Sequence, residues 1–186
     1  MIPEAPLERT EDGLVTAGEG WFVLNAREAR WKRGEGRGAR LNFDGDTEFP
    51  QVGVNLFVLA PGEVMGMYHW EADQEDFFVI DGEALLIIEG EERPLRTWDF
   101  VHCPAQASHI IVGEGDRPCV VLAIGAREHQ GGPGWGGYPV DDAALRRGAG
   151  VERETNLVRE AYARFPARVT SPWRDEWLGP PQSRAP

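Results

Sequence analysis

The chain has 186 residues, enough for one domain with a sizeable core, and its apolar fraction of 41% is ordinary for a globular protein. A formal net charge of −12 makes the surface repel phosphate backbones and anionic lipid headgroups, so we expect neither nucleic acid nor a membrane as a partner. The N-terminus lacks a basic start followed by an apolar segment, so we expect no secretory signal and a cytoplasmic location.

Residues 1–48 are expected to form an N-terminal extension that packs on the core. The segment from Gly20 to Ala26, GWFVLNA, has the composition of a strand, and we expect it to pair with a second subunit in a homodimer. The segment from Trp31 to Arg40, WKRGEGRGAR, is basic and rich in glycine. Its glycines do not match a phosphate-binding loop, so the pattern favours a solvated loop over phosphate binding.

Residues 49–127 hold short apolar segments that are rich in β-branched and aromatic residues and separated by turn signals. No segment of helical period and length lies between them, so an antiparallel arrangement is expected rather than parallel βαβ units. Cys103 and Cys119 form neither a disulfide framework nor a paired zinc motif, and we expect two buried, reduced thiols. The predicted strands are 51–59, 76–80, 84–89, 97–103, 109–112 and 118–124.

Residues 128–186 are expected to form a C-terminal extension that begins with a glycine-rich loop. The segment 156–165, NLVREAYARF, has apolar residues at helical spacing and is followed by Pro166, which predicts one short helix. Near the end, Trp173 and Trp177 are expected to pack on the core or on a second subunit.

Two segments of the central region carry side chains that can share a metal ion. His69 and Glu71 are two residues apart, so in a strand both side chains point to the same face. Glu75 follows a short turn and can fold back toward them, and His109 begins another strand after a turn that contains Pro104. Two imidazoles with one or two carboxylates suit iron, manganese, zinc or nickel, and an incomplete ligand shell leaves positions open for a substrate.

The first of these segments resembles the first motif of the cupin superfamily, in which a glycine precedes two histidines, a glutamate and a closing glycine. Gly62 and Gly82 stand at the two glycine positions, and Glu75 stands at the glutamate position. His69 falls at the first histidine, one residue later than in the motif, and Glu71 replaces the second histidine.

The second segment resembles the second cupin motif, in which proline, glycine and histidine follow an opening glycine and an asparagine closes the motif. Pro104 and His109 match it. Trp98 replaces the opening glycine, Gln106 the inner glycine and Gly113 the asparagine. We expect Gln106 to make this turn less free to adopt a positive φ.

The resemblance implies an all-β fold, namely a single cupin (jelly-roll-like) antiparallel β-barrel over residues 49–127 with a short helix in the C-terminal extension. It also implies a divalent metal ion of unknown identity (Fe, Mn, Zn or Ni). The implied ligands are His69, Glu71, Glu75 and His109, and Glu71 and Glu75 are also the candidate catalytic residues. Glu71 either binds the metal directly or orients an imidazole from outside the ligand shell.

The extra residue before His69 leaves a shifted register open, in which Tyr68 and Trp70 face inward and His69 faces outward, because a one-residue slip reverses every side chain of a strand. Four residues are candidates for the walls of a substrate pocket, and core packing is the alternative role for each of them. These residues are Tyr68, Phe78, Trp98 and His102.

The expected function is that of a metal-binding cupin acting as a small-molecule metalloenzyme. Two histidines and a carboxylate resemble the ligands of non-haem iron oxygenases, whereas a redox-neutral metal would support an isomerase or a lyase. The alternative is a non-catalytic cupin that binds or senses a small, sugar-like molecule. Fold alone does not choose between them.

Overall fold

The computed structural model describes residues 1–178, and strands dominate it. The N-terminal part contains β1 (Leu7–Thr10), β2 (Gly13–Thr16), β3 (Trp31–Arg33) and β4 (Ala39–Asn42). The central part contains β5 (Val52–Leu59), β6 (Trp70–Glu71), β7 (Glu75–Asp81), β8 (Glu83–Ile88), β9 (Glu91–Arg96), β10 (Phe100–Cys103), β11 (His109–Glu114) and β12 (Cys119–Ala126). The C-terminal part contains β13 (Gly136–Gly137), α1 (Asp142–Arg146), α2 (Val158–Ala161), β14 (Val169–Ser171) and a 3₁₀ helix (Asp175–Leu178).

The largest sheet has seven strands in the order β10-β7-β12-β5-β4-β3-β14, and every neighbouring pair in it is antiparallel. A second sheet has the order β11-β8-β9, and β1-β2 and β13-β6 form two-stranded sheets. Within residues 1–178 these remain four separate sheets. The antiparallel arrangement expected from the sequence is therefore confirmed, but the described strands do not form one closed barrel.

The main core lies between the seven-stranded and three-stranded sheets, and the alternation along β7 shows how the sequence builds it. Phe77 and Val79 are buried, whereas Phe78 and Ile80 lie on the opposite, outer face of the sheet. Glu75 shares the inward parity of Phe77, so this polar side chain lies at the edge of an apolar interior. Both cysteines are buried and free, as expected.

The flanking segments add strands to the large sheet. β4 pairs with β5, β3 pairs with β4, and β14 pairs with β3. Trp31 is fully buried, and the rings of Trp173 and Trp177 lie 5.2 and 5.6 Å from it. The segment from Trp31 to Arg40 is therefore not the expected solvated loop, while the two C-terminal tryptophans pack on the core as expected. Residues 179–186 of the predicted C-terminal extension lie outside the described residues.

Three local features differ from the sequence-based expectations. Gly20 to Ala26 forms no strand, since Trp21 makes only an isolated bridge to Glu4. The helix expected over 156–165 is limited to the four residues of α2, whose N-cap residue Leu157 makes no side-chain capping bond. β9, whose charged residues hide its alternation, and α1 are not predicted from the sequence. The helices of this structure are too short and too polar to cross a lipid bilayer.

Candidate functional site

The backbone brings His69 and His109 together from two segments of the central region. The amide of His69 donates to the carbonyl oxygen of His109 at 3.2 Å, and the amide of His109 donates to that of His69 at 2.8 Å. This antiparallel bridge precedes β6 on one side and opens β11 on the other. The two imidazole rings consequently lie side by side, with centroids 5.2 Å apart.

Each ring is oriented by a carbonyl oxygen two residues earlier in the chain. Nδ1 of His69 lies 2.8 Å from the carbonyl oxygen of Met67, and Nδ1 of His109 lies 2.9 Å from that of Ala107. Because a carbonyl oxygen only accepts, both Nδ1 atoms carry a proton and donate it. In each ring Nε2 is then the atom that can bind a metal once it is deprotonated, in the manner of metal-binding histidines held by a backbone carbonyl.

Two carboxylates approach these Nε2 atoms. Oε2 of Glu75 lies 3.0 Å from Nε2 of His109 and 3.5 Å from Nε2 of His69, and Oε1 of Glu71 lies 3.3 Å from Nε2 of His69. The ligating atoms of His69, Glu75 and His109 all lie within 4.8 Å of one another. Neighbouring ligands bound at about 2.1 Å are about 3.0 to 3.4 Å apart, so this donor set fits a divalent transition metal or zinc.

Opposite charges in this cluster shift the pKa values strongly. Burial lowers the pKa of His69, but hydrogen bonds to Glu71 and Glu75 outweigh it and raise that pKa to about 10. Burial also lowers the pKa of His109, but side-chain hydrogen bonds to Cys103 and Glu75 outweigh it and raise that pKa to about 9. Burial raises the pKa of Glu75, yet the two imidazoles hold it well below its usual range. Without a metal, the imidazoles therefore hold the protons that a metal would displace.

His69, Glu71 and Glu75 line a cavity of about 560 Å³, a size that suits a small molecule, and His109 is buried beside them. Tyr138 forms part of its wall and stacks on His69, with ring centroids 5.9 Å apart and planes 25° from parallel. Burial, followed by the charges of Tyr162, Glu71 and Glu75, raises the pKa of Tyr138. Among residues 1–178 no group forms a hydrogen bond with its side chain, so its hydroxyl is available to a bound molecule.

The C-terminal extension supplies this wall by pairing with the strand that carries Glu71. Gly136 pairs with Glu71 and Gly137 with Trp70, which places Tyr138 directly after β13 over the cavity. A Cβ on Gly136 would lie 2.8 Å from the carbonyl oxygen of Trp70, and one on Gly137 would lie 2.8 Å from its Nε1. The two glycines thus allow this close approach.

The structure places the four predicted pocket-wall residues away from the cavity. Tyr68 is buried in the core, where its hydroxyl accepts a hydrogen bond from the amide of Gly90. Phe78 and Trp98 pack against each other on the outer face of the large sheet, and Trp98 is 76% exposed. His102 is paired with Asp76, so its imidazole lies outside as well. The expectation that these side chains line the pocket is therefore corrected: Tyr68 lies in the core, and Phe78, Trp98 and His102 lie on the outer face of the sheet.

The two residues that replace glycines in the second motif nevertheless keep a glycine-like backbone. Trp98 has a φ of 78° and Gln106 has a φ of 72°. Both values lie in the left-handed region, which residues other than glycine rarely adopt. The amide of Gln106 donates to the carbonyl oxygen of Glu71 at 2.7 Å. The strained turn thus connects the segment before His109 to the strand that carries Glu71, and the expectation that Gln106 would resist a positive φ is not met.

The part of the cavity wall that comes from the flanking segments was not predicted from the sequence. Tyr138 follows a glycine-rich loop that carries no periodic signal, and Arg168 is an isolated residue after the short helix. Arg37 and Arg40 were visible in the basic segment before the central region, but a run of charge does not indicate which cavity it faces. Only the pairing of β4 with β5 places them beside the site.

Comparison with known families supports the resemblance, since the family model for the cupin domain matches residues 55–125. A search of curated proteins gave no match. Among solved structures, the chain is similar to a candidate sugar phosphate isomerase from Acidithiobacillus ferrooxidans, with 28% identity over 50% of this chain and 62% of that one and a TM-score of 0.44. It is also similar to a cupin-superfamily sugar phosphate isomerase from Silicibacter pomeroyi, with 29% identity, 49% and 60% coverage and a TM-score of 0.43.

A third similar structure is a cupin protein from Bacteroides fragilis, with 19% identity over 50% of this chain and 80% of that one and a TM-score of 0.45. The present chain spans only about three fifths of the length of the two isomerase structures, 62% and 60%. The matched residues 55–125 include all four candidate metal ligands, which are His69, Glu71, Glu75 and His109. The resemblance to the cupin superfamily therefore holds for residues 55–125, the part of the chain that the cupin-domain model matches.

Proposed function

We propose that this protein is a metal-dependent enzyme that acts on a small molecule. The observation that carries the proposal is the convergence of His69, Glu75 and His109, whose ligating atoms lie within 4.8 Å of one another, with His69 and Glu75 at the wall of a cavity. Three protein ligands leave coordination positions for water or substrate, which is typical of catalytic rather than structural sites. Glu71, 3.3 Å from Nε2 of His69, is the fourth candidate ligand.

Glu71 and Tyr138 would have different chemical roles beside the metal ion. A bound divalent ion would polarise a substrate oxygen as a Lewis acid. Glu71 lies outside the three-residue group, so its carboxylate can take up or release a proton at a substrate atom beside the centre. Tyr138 keeps its hydroxyl protonated because its pKa is raised, and the hydroxyl can donate a hydrogen bond to a substrate oxygen. This combination favours a metal-assisted isomerase or lyase.

A non-haem iron oxygenase is the second candidate, and the ligand set favours it. Two histidines and one carboxylate with open positions are the ligands that such oxygenases use for iron. In that case Glu75 serves only as a ligand, and Glu71, whose Oε1 lies 3.3 Å from Nε2 of His69, would stand beside the ion as a fourth ligand. Oxygen uptake by the iron-loaded protein in the presence of a substrate separates this function from the redox-neutral one.

The proposed assembly is a homodimer formed through the outer face of the large sheet. Trp98 is 76% exposed and Phe100 is 63% exposed, and Phe78 lies directly beside both of them. Large apolar side chains grouped on one face commonly mark an interaction surface. This face replaces the segment from Gly20 to Ala26 as the proposed contact, because that segment does not form a strand.

Elemental analysis tests the proposed metal site. Protein purified without chelator, or reconstituted anaerobically with iron, manganese, zinc or nickel, is expected to hold about one ion per chain. His69→Ala should lose the ion, whereas His102→Ala, which alters an imidazole on the outer face, should keep it. No bound metal after reconstitution, or equal metal content in the two variants, would refute the metalloenzyme and favour the non-catalytic binding or sensing function.

A further inference from the structure

The cavity that contains the metal-ligand cluster also has a cationic wall. Arg37 lies in the turn between β3 and β4, Arg40 lies in β4, and Arg168 immediately precedes β14. All three line the same cavity as His69 and Glu75. They come from both flanks of the cupin domain, so the added strands have a role in shaping this cavity.

These three arginines hydrogen-bond to neutral oxygens. Arg37 donates to the carbonyl oxygen of Pro166 at 2.7 Å, and Arg40 donates to the side-chain oxygen of Asn55 at 3.0 and 3.3 Å. Arg168 donates to the carbonyl oxygens of Gly38 and Met65 at 2.6 and 3.3 Å. In the described part of the chain, no carboxylate lies within 4.0 Å of any of the three guanidinium groups.

Arg127 shows that the fold neutralises an arginine where the charge has a structural role. It lines the same cavity, but its guanidinium binds the carboxylate of Asp44 at 2.8 Å. The chain carries 31 acidic residues against 19 basic ones, so carboxylates are abundant. This cavity wall therefore has a local excess of positive charge, because three of its arginines have no carboxylate partner.

Burial makes this excess of positive charge unfavourable unless it is compensated. Burial lowers the pKa of Arg40, and burial together with the charges of Arg37 and Arg40 lowers the pKa of Arg168 to about 10. A desolvated cation is costly unless a partner of opposite charge compensates it. Arg37 is further fixed by the rings of Tyr162 and Phe165, which lie 5.3 and 5.1 Å from its guanidinium carbon.

Two residues of the cavity wall also carry buried hydrogen-bond donors that lack an acceptor among the described residues. Nε of Arg37 and Nε1 of Trp135 are buried and have no hydrogen-bond partner among the described residues, and both residues line this cavity. Both groups can only donate. Because both nitrogen atoms are buried beneath the cavity surface, they add to the donor-rich character of this wall without being direct contacts for a ligand.

We propose that the cavity binds a small anionic molecule whose carboxylate or phosphate group is held by Arg37, Arg40 and Arg168 while the rest of the molecule extends toward His69, Glu75 and His109. Arginine matches both oxyanions because its planar guanidinium presents paired donors. The inference deepens the proposed function by naming its substrate class, and it relies on that function only for the reacting end of the molecule. The anion-binding wall itself needs no metal.

Calorimetric titration of metal-free protein with inorganic phosphate and with succinate tests the anion site separately from the metal site. Saturable binding of at least one probe is expected, and a preference for one probe identifies the oxyanion. Arg40→Met and Arg168→Met should each weaken binding by at least about tenfold. Arg96→Met is the matched control, because this exposed arginine of β9 does not line the cavity and should leave affinity unchanged.

Two further variants keep the test informative if a methionine substitution impairs folding. Arg40→Lys and Arg168→Lys retain the positive charge but lose the paired donors, so each should fold and bind more weakly than the wild type. Failure of both probes to bind the wild type, or equal affinity in the cavity variants and in Arg96→Met, would overturn the proposal. Metal content of the same variants, measured after reconstitution with metal, reports on the enzyme proposal independently.

Discussion

His69 and His109 are paired through their backbones, each amide donating to the other residue's carbonyl oxygen, and their Nε2 atoms both face Glu75. The separation of the two imidazoles is therefore fixed by main-chain hydrogen bonds rather than by side-chain packing alone. A site built in this way is organised before a metal binds, which reduces the reorganisation that binding requires.

This preorganisation predicts that a single ligand can be removed without rebuilding the strands. His109→Ala should lower metal affinity by at least about tenfold and abolish metal-induced thermal stabilisation, because the Nε2 ligand is lost while the backbone pairing remains. Metal titration followed by thermal unfolding measures both quantities. His129→Ala is the control, since His129 is exposed and bound to Asp73 away from this cluster. Equal losses in the two variants would count against the site.

The stability of the metal-free protein should depend on pH in a predictable direction. The pKa values of His69 and His109 are raised to about 10 and about 9, so their stabilising contribution is complete below the unfolded value of 6.5 and is lost as pH rises toward those values. The pKa of Glu75 is lowered, so its contribution is present above the unfolded value of 4.5 and is lost as pH falls below it. Stability should therefore be greatest between these two unfolded values.

Thermal unfolding of chelator-treated protein across this pH range provides the measurement. Glu75→Gln removes the negative charge that faces both imidazoles and should flatten the decline on the alkaline side. The corresponding control is Glu91→Gln, which alters an exposed carboxylate paired only with Arg93. A wild-type protein that becomes more stable between neutral and mildly alkaline pH would contradict the assigned charge pairing.

The left-handed turn at Gln106 predicts opposite effects for two substitutions. Gln106→Gly removes a steric penalty of about 1 to 2 kcal/mol but increases the entropy of the unfolded chain, so the free energy of unfolding should stay level or rise by up to about 1 kcal/mol. Gln106→Val should lower it by about 1 kcal/mol or more, because a branched side chain fits a positive φ poorly. Urea unfolding measures both. A valine variant more stable than the glycine variant would show that the backbone at residue 106 is not strained.

The sequence predicted the candidate ligands because they occupy one short stretch and one strand start. The spacing of His69 and Glu71 gives their common face, and the structure retains the register in which His69 faces the cavity. The shifted register is not observed. Tyr68 is nevertheless buried as well: its amide donates to the carbonyl oxygen of Ala149, and its side chain belongs to the same core cluster as Ala149. Inward and outward parity therefore do not separate buried from exposed residues here.

The rest of the site depends on pairings that no local pattern specifies. His102 lies opposite Asp76 across β10 and β7, so its outward direction follows only once that register is known. Tyr138 reaches the cavity through a pairing of two residues between β13 and β6, too short to leave an alternating pattern. Arg168 depends on β14 joining β3, a contact between opposite ends of the chain. These are long-range tertiary features.

Arg127 is predicted to stabilise the fold rather than to bind substrate. Its partner Asp44 has a side chain only 4% exposed, so Arg127→Met should leave a buried carboxylate uncompensated and lower the free energy of unfolding by about 3 kcal/mol. The double variant Arg127→Met with Asp44→Asn should recover part of that loss, because the unpaired charge is removed. Denaturant unfolding of the two variants measures these changes. If the double variant loses as much free energy of unfolding as Arg127→Met alone, the unpaired charge is excluded as the cause.

The exposed aromatic residues of the large sheet predict the oligomeric state. Trp98 and Phe100 lie on its outer face beside the edge strand β10, and burying them against a second subunit would remove a large apolar area from water. Light scattering should give a dimer mass, and Phe100→Lys should shift the population toward the monomer, since a buried lysine without a partner is unfavourable. Val23→Lys is the matched control, because this residue is 79% exposed in the segment that forms no strand. A monomeric wild type would refute the dimer, and dissociation caused equally by both substitutions would place the contact elsewhere than on this face.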